Sequence, residues 1–173
     1  MLILLTGGAA SGKSAFAEKL TEKLPGPKYY IAAMEPFGEE SLKKIARHRE
    51  MRSARGFETI ERYTDMAGLT LPKRGCALLE CLCNLTANEM FSSAGAGADA
   101  ENAVIRGIAS LKNQCETLIV VTNEVGAGYD TYGDRTPEYI ETLGKINRRA
   151  AKMADVVIEL VCGLPVLLKG ELP

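Results

Sequence analysis

The chain has little of what most metal centres and disulfide frameworks need. Its 173 residues include no tryptophan, one histidine (His48) and five cysteines, none of them in CxxC spacing. A zinc site usually needs clustered cysteine and histidine ligands, so we do not expect one. We expect most of the cysteines to be reduced core residues. They are Cys76, Cys81, Cys83, Cys115 and Cys162.

Long hydrophobic runs and an excess of one charge are also missing. The formal net charge is −1, so composition suggests no nucleic-acid partner. No segment approaches the ~20 consecutive apolar residues of a membrane-spanning helix. The N-terminus leads directly into a predicted strand rather than a charged leader, so we expect a cytoplasmic protein. The length predicts one domain over residues 1–173.

The N-terminal segment is the most informative part of the chain. An apolar run over 2–5 predicts a buried strand, and 14–24 has apolar residues at helical spacing. Between them lies a phosphate-binding loop in which Gly7 and Gly12 let backbone N–H groups turn toward an anion. Lys13 is expected to reach the β- and γ-phosphates, and Ser14 to hold Mg²⁺. The predicted phosphate-binding residues are Gly7, Gly8, Ala9, Ala10, Ser11, Gly12, Lys13 and Ser14.

The rest of the chain alternates strands with helices, which indicates an α/β fold. We predict a three-layer fold of the P-loop NTPase type, with a mostly parallel sheet and an antiparallel C-terminal hairpin at its edge. The further strands are predicted at 29–33, 57–61, 76–82, 117–121, 156–161 and 165–168, and the further helices at 39–55, 84–91, 99–115 and 138–153.

Polar residues follow several predicted strands where those strands end. In a parallel sheet the carboxyl ends share one edge, so 32–34, Glu80 and Asn123–Glu124 are expected to face one crevice with the phosphate-binding loop. Glu80 is a candidate to meet Mg²⁺ or the nucleotide, although a carboxylate there could also cap the following helix. His48 lies in a basic predicted helix, which is either a solvated face or a phosphate-facing surface.

Taken together, these segments resemble the adenosylcobinamide kinase/adenosylcobinamide-phosphate guanylyltransferase family of cobalamin biosynthesis. The resemblance covers nearly the whole chain. The segments that carry it are 6–14, 30–32, the HxxxR element at 48–52, 78–81, the VTNEVG segment at 121–126, and Asn147.

The resemblance implies two reactions. The first phosphorylates the aminopropanol hydroxyl of adenosylcobinamide with ATP or GTP. The second transfers GMP from GTP to that phosphate through a guanylylated His48. Arg49 and Arg52 are expected to offset phosphate charge, and Lys13 with Mg²⁺ to stabilise the leaving pyrophosphate. The family also implies a homotrimer and a GTP site lined by Ala32, Ala33, Met34, Arg49, Glu50, Met51, Arg52, Glu61 and Glu80.

The chain departs from the family pattern in two places. Ala10 stands where the phosphate loop of the family usually has arginine, and the loop at 129–137 lacks the usual Val-Pro step. We expect that second loop to face the corrinoid. Two other functions remain open: a P-loop kinase of another small metabolite with His48 on its surface, or a GTP-binding module without turnover.

Overall fold

The structure is a computed structural model that describes residues 1–35, 55–124 and 136–171. The strands are β1 (Leu2–Thr6), β2 (Lys28–Ala32), β3 (Phe57–Glu61), β4 (Cys76–Glu80), β5 (Thr117–Val121), β6 (Val156–Val161) and β7 (Leu164–Lys169). The helices are α1 (Lys13–Glu22), α2 (Leu82–Phe91), α3 (Ala100–Gln114) and α4 (Thr136–Met153). Short 3-10 turns span Met66–Gly68 and Gly97–Asp99.

The seven strands of the described residues form one sheet in the order β3-β2-β4-β5-β1-β6-β7. The first six strands pair in parallel, and β7 pairs antiparallel with β6 through a tight hairpin. This arrangement confirms the predicted mostly parallel sheet with an antiparallel C-terminal edge.

Helices cover both faces of the sheet and so bury its central strands. On one face α2, α3 and α4 pack against alternate strand residues such as Leu4, Leu79 and Val120. On the other face α1 packs against the intervening residues, including Leu5 and Leu78. Because β1, β4 and β5 are covered on both sides, they read as continuous apolar runs in the sequence.

The boundary between β4 and α2 differs from the prediction. A strand was expected over 76–82 and a helix from residue 84, whereas β4 ends at Glu80 and α2 begins at Leu82. Leu82 and Cys83 are buried as helix residues. A short apolar run does not by itself distinguish a strand from the first turn of a buried helix.

Two predicted segments fall largely outside the described residues. The helix expected over 39–55 is described only at Arg55, and the polar loop expected over 129–137 is described only at its last two positions, where α4 begins. Of the helices that the structure does describe, none combines the length and the hydrophobicity needed to span a lipid bilayer.

Candidate active site

The strand register brings the predicted polar residues to one edge of the sheet. Ala32 is level with both Glu61 and Glu80, and Glu80 is level with Val121. Val121 is in turn level with Leu5, two residues before the phosphate-binding loop. The carboxyl ends of five strands therefore face the same side as that loop.

The phosphate-binding loop has the backbone that its glycines predict. Gly7 has φ 137° and Gly12 φ 95°, and Gly12 lies at the N-terminus of α1. A Cβ atom on Gly7 would lie 2.5 Å from the carbonyl oxygen of Leu160, so only glycine fits between the loop and β6. Ala10, at the family's usual arginine position, also has a positive φ, of 57°.

Lys13 lies inside the loop, and its side chain folds back over it. Its Nζ donates to the carbonyl oxygens of Gly7 at 2.9 Å and Gly8 at 2.6 Å, and to Ser11 Oγ at 3.4 Å. Burial lowers the pKa of this ammonium group from its ordinary value. The loop thus holds a poorly hydrated cation at its centre, next to the α1 N-terminus that favours anions.

Ser14, Glu80 and Tyr30 form a hydrogen-bonded chain beside the loop. The Ser14 hydroxyl donates to Glu80 Oε1, and the Tyr30 hydroxyl donates to Glu80 Oε2 at 2.9 Å. The carboxylate is therefore fixed from two sides against the first turn of α1. Both of these partners are side-chain hydroxyls of α1 and β2, whereas a helix-capping role for Glu80 would need bonds from backbone N–H groups of α2.

A pocket of about 400 Å³ lies between the loop and the ends of β4 and β5. Seven consecutive residues, 9–15, form one wall, and residues from the ends of the two strands form the other. Its lining residues are Ala9, Ala10, Ser11, Gly12, Lys13, Ser14, Ala15, Glu80, Cys81, Val121 and Asn123. Of the predicted phosphate-binding residues, Gly7 and Gly8 are not among the lining residues, and their carbonyl oxygens accept hydrogen bonds from Lys13.

The structure places the other described candidates on the same edge but farther along it. Ala33 is buried, whereas Met34 is 47% exposed. The Ala33 carbonyl oxygen accepts a hydrogen bond from Asn88 Nδ2 at 2.8 Å, and Glu61 Oε2 accepts one from the Tyr63 hydroxyl at 3.2 Å. In the sheet β2 is three strands from β1, roughly 14 Å, and β3 is four strands away, roughly 19 Å, so these residues lie well across the sheet edge from β1. That separation allows an extended nucleotide to contact both places.

The candidates in the basic segment lie outside the described residues. They are His48, Arg49, Glu50, Met51 and Arg52. The structure therefore describes the pocket that these residues were expected to serve, and their own roles stay predictions.

The turn of the β6-β7 hairpin braces the phosphate-binding loop from outside. The Gly163 N–H donates to the Ser11 carbonyl oxygen at 3.1 Å. Cys162 and Gly163 both have positive φ, of 51° and 83°, as a two-residue hairpin turn that follows strand twist requires. Sequence reasoning missed this contact. The turn was recognised, but nothing in the sequence indicated that it packs against a loop about 150 residues earlier.

Cys83 is a free cysteine in the buried core, as expected, and Cys81 packs against that core and also lines the pocket beside Glu80. Hydrogen bonding from Cys81 is the largest of the effects that lower the pKa of Cys83, to about 6. Burial opposes that shift, while the backbone of Asn123 and the side chains of Tyr139 and Asn123 support it. The same pairing raises the pKa of Cys81. The CxC spacing directly after Glu80 was the sequence feature that could have indicated a role for these cysteines. No sequence feature indicated that Tyr30 would bond to Glu80.

Comparison of the sequence with known proteins shows the family to which the chain belongs. A family model described as "Cobinamide kinase / cobinamide phosphate guanyltransferase" matches residues 3–168. The chain belongs to this family. The resemblance predicted from the sequence is thereby confirmed.

Curated relatives of the cobinamide kinase/guanyltransferase family match over nearly their whole length. The bifunctional adenosylcobalamin biosynthesis protein CobU of Salmonella typhimurium is 31% identical over 98% of this chain and 100% of its own. CobP of Pseudomonas aeruginosa, with the same description, is 31% identical over 97% of each chain. CobU of Escherichia coli is 31% identical over 98% of this chain and 100% of its own.

A solved structure supports the fold alone. A protein of Pyrococcus horikoshii OT3 aligns with a TM-score of 0.54 and 8% identity, covering 98% of this chain and 86% of that one. At this identity the likeness carries no information about activity.

Proposed function

We propose that the protein phosphorylates adenosylcobinamide and then converts the product to adenosylcobinamide-GDP with GTP. The observation that carries the proposal is the convergence of Lys13, Ser14 and Glu80 on one pocket in a chain that matches the cobinamide kinase/guanyltransferase family over residues 3–168. Nucleotides are the family's substrates, and the described pocket has the groups that bind a polyphosphate.

In the kinase step, the residues of the phosphate-binding loop bind and orient the triphosphate. The oxygen of the corrinoid hydroxyl attacks the γ-phosphorus, the bond to the β-phosphate oxygen breaks, and the hydroxyl proton is released. Lys13 exchanges one of its carbonyl partners for a phosphate oxygen and offsets the negative charge there.

Ser14 and Glu80 fit a magnesium ion chemically, because a hydroxyl and a carboxylate are hard oxygen ligands and lie in hydrogen-bond contact. When bound there, the ion would supply positive charge that offsets the negative charge of the phosphate oxygens. The Tyr30 hydroxyl holds the Glu80 carboxylate in place. This contact favours a metal-facing role for Glu80 and leaves Glu61 as the carboxylate that could accept the guanine N–H groups.

In the guanylyl step, the proposed nucleophile is His48. Its imidazole nitrogen attacks the α-phosphorus of GTP, the bond to the β-phosphate oxygen breaks, and pyrophosphate leaves. The phosphate oxygen of the corrinoid then attacks the same phosphorus and displaces the histidine. Arg49 and Arg52 are proposed to offset charge on the α-phosphate, and the remaining proposed GTP contacts are those of Ala32, Ala33, Met34, Glu50, Met51 and Glu61.

The test is to incubate the protein with Mg²⁺ and α-labelled GTP and to measure label retained after denaturation. A phosphoramidate should be stable in alkali, be lost in mild acid, and be absent from His48→Ala. Adding unlabelled adenosylcobinamide phosphate should move the label to the corrinoid. Acid-stable label, or equal labelling of His48→Ala, would contradict this step.

The kinase step is tested separately with γ-labelled ATP and adenosylcobinamide. Transfer of label to the corrinoid is expected, and Lys13→Met should abolish it. Phosphorylation without any protein labelling from GTP would favour a simple kinase. Binding of GTP without consumption would favour a non-catalytic module.

We also infer a homotrimer, which the family resemblance implies, with residues 1–173 acting as one domain in the cytoplasm. Support for self-association comes from β7, an edge strand on which Leu164 is 70% and Leu168 57% exposed. Light scattering should give three times the mass of the chain, and Leu164→Asp with Leu168→Asp should lower that mass.

A further inference from the structure

Asn123 is a pocket residue outside the phosphate-binding loop. It follows β5, and β5 lies between β1 and β4 in the sheet. It therefore follows the strand between the one that leads into the phosphate-binding loop and the one that ends in Glu80, and it lines the pocket together with both. Phosphate oxygens bound by Lys13 and Ser14 would lie within this space.

The backbone of Asn123 is held in place by one residue of α4. Asn147 Nδ2 donates to the Asn123 carbonyl oxygen at 3.2 Å, and Asn147 Oδ1 accepts from the Thr122 hydroxyl at 2.7 Å. Thr122 is itself fixed to β1, because its N–H donates to the Leu5 carbonyl oxygen at 2.9 Å. Both ends of the Asn147 amide thus hold the two residues that follow β5.

Asn123 also lies close to Cys83 at the start of α2. Its backbone and side chain are among the groups that lower the pKa of this buried thiol. A primary amide has two N–H donors and one carbonyl acceptor, so Asn123 can contact Cys83 and still present a donor to the pocket.

We propose that Asn123 donates a hydrogen bond to the transferred γ-phosphoryl group, and that Asn147 is its positioning residue. This inference rests on the proposed kinase function and adds a group to it. A preorganised neutral donor stabilises charge that develops on the phosphoryl oxygens without adding a cation to the site. Asn123 takes no proton, because the corrinoid hydroxyl loses its own proton to solvent or a base as the new bond forms.

The experiment compares ATP-dependent phosphorylation of adenosylcobinamide by the wild-type protein, Asn123→Ala, Asn123→Asp and Asn147→Ala. Removing one such donor should lower kcat about 100-fold in Asn123→Ala while the Kd of Mg-ATP changes little. Asn123→Asp should be no better, because a carboxylate repels the phosphoryl oxygens. The matched control is Asn113→Ala, an exposed residue near the end of α3, which should keep the wild-type kcat.

The positioning role of Asn147 has its own readout in the double variant. If Asn147 acts through Asn123, the single substitution Asn147→Ala lowers kcat, but the same substitution added to Asn123→Ala lowers kcat little further. Multiplied effects in the double variant would mean that Asn147 acts independently and would overturn its assigned role.

The outcomes separate this inference from the proposed function. If the wild-type protein phosphorylates the corrinoid and Asn123→Ala has a kcat within about threefold of it, the role of Asn123 is wrong and the function stands. If Asn123→Ala instead raises the Kd of Mg-ATP with kcat unchanged, Asn123 serves ground-state binding, which also overturns the proposal. A wild-type protein without kinase activity would overturn both.

Discussion

The Ser14 hydroxyl donates a hydrogen bond to Oε1 of Glu80, which lies 66 residues farther along the chain. The contact joins the first turn of α1 to the end of β4, across the intervening strand β5. It brings the two oxygen groups suited to Mg²⁺ into direct contact, at the edge of the pocket that contains Lys13. The most specific prediction about the site concerns this pair.

Glu80→Gln should weaken the use of Mg²⁺ rather than the fold. The amide keeps the shape of the side chain and still accepts from Ser14, but it lacks the negative charge that favours a divalent cation. The Mg²⁺ concentration for half-maximal phosphorylation should rise about 10- to 100-fold. The matched control is Glu116→Gln, an exposed residue paired with Arg74 just before β5, which should behave as wild type. An unchanged Mg²⁺ dependence in Glu80→Gln would remove Glu80 from the metal site.

Tyr30→Phe should lower activity with little loss of stability. The ring keeps its edge-to-face contact with Phe57, and only the hydroxyl that holds Glu80 Oε2 is lost. The free energy of unfolding should fall by about 1 kcal/mol, as expected for one hydrogen bond. Tyr29→Phe is the control on the same strand. The Tyr29 hydroxyl also takes part in one hydrogen bond, which it accepts from the Lys73 N–H at 3.1 Å, but it does not contact Glu80 in that bond. Chemical denaturation should show similar stability for the two variants. Phosphorylation assays should show lower activity for Tyr30→Phe only.

Local patterns predicted the strands and the phosphate-binding loop because each is encoded over a few adjacent residues. The apolar run over 2–5 and the Gly-Lys-Ser segment identified the first strand, loop and helix, which the structure has as Leu2–Thr6 followed by the loop and α1. The crevice at the carboxyl edge also followed, because parallel strands end together. The register that sets Glu80 level with Val121 was not available from spacing alone.

Contacts between distant segments were not predictable from the sequence. The bonds from Tyr30 to Glu80 and from Gly163 to Ser11 depend on strand order and on which face each residue occupies. The strand expected to continue through residue 82 ended earlier because Leu82 and Cys83 belong to a buried helix. Periodicity cannot separate the two structures over so few residues.

Gly7→Ala should lower the stability of the protein, whereas Gly8→Ala, at the adjacent residue, should leave it unchanged. A Cβ on Gly7 meets the Leu160 carbonyl oxygen at 2.5 Å and sits on a backbone with φ 137°, whereas a Cβ on Gly8 has nothing within 4 Å. Gly7→Ala should lose about 1–3 kcal/mol of stability through strain, and nucleotide binding should weaken with it. Gly8→Ala should unfold at the wild-type temperature. Thermal unfolding of both variants is the measurement, and equal midpoints would contradict the tight fit of Gly7 against β6.

Lys13→Met should change how stability depends on pH. Burial lowers the pKa of Lys13 in the folded protein below its ordinary value of 10.5, so at neutral pH the folded state carries the cost of a buried charge. As the pH rises through the lowered pKa, the folded protein loses this proton before the unfolded chain does. The unfolded state then binds more protons, and the free energy of unfolding rises with pH.

Methionine has no proton to lose and lacks this increment. The difference in unfolding free energy, wild type minus Lys13→Met, should therefore increase between about pH 7 and about pH 10. Groups that titrate in both proteins cancel from the difference. Urea denaturation without nucleotide is the measurement, and Lys19→Met, at an exposed lysine of the same helix, is the control for the removal of a lysine charge. A flat difference for Lys13→Met would mean that Lys13 keeps its ordinary pKa in the loop.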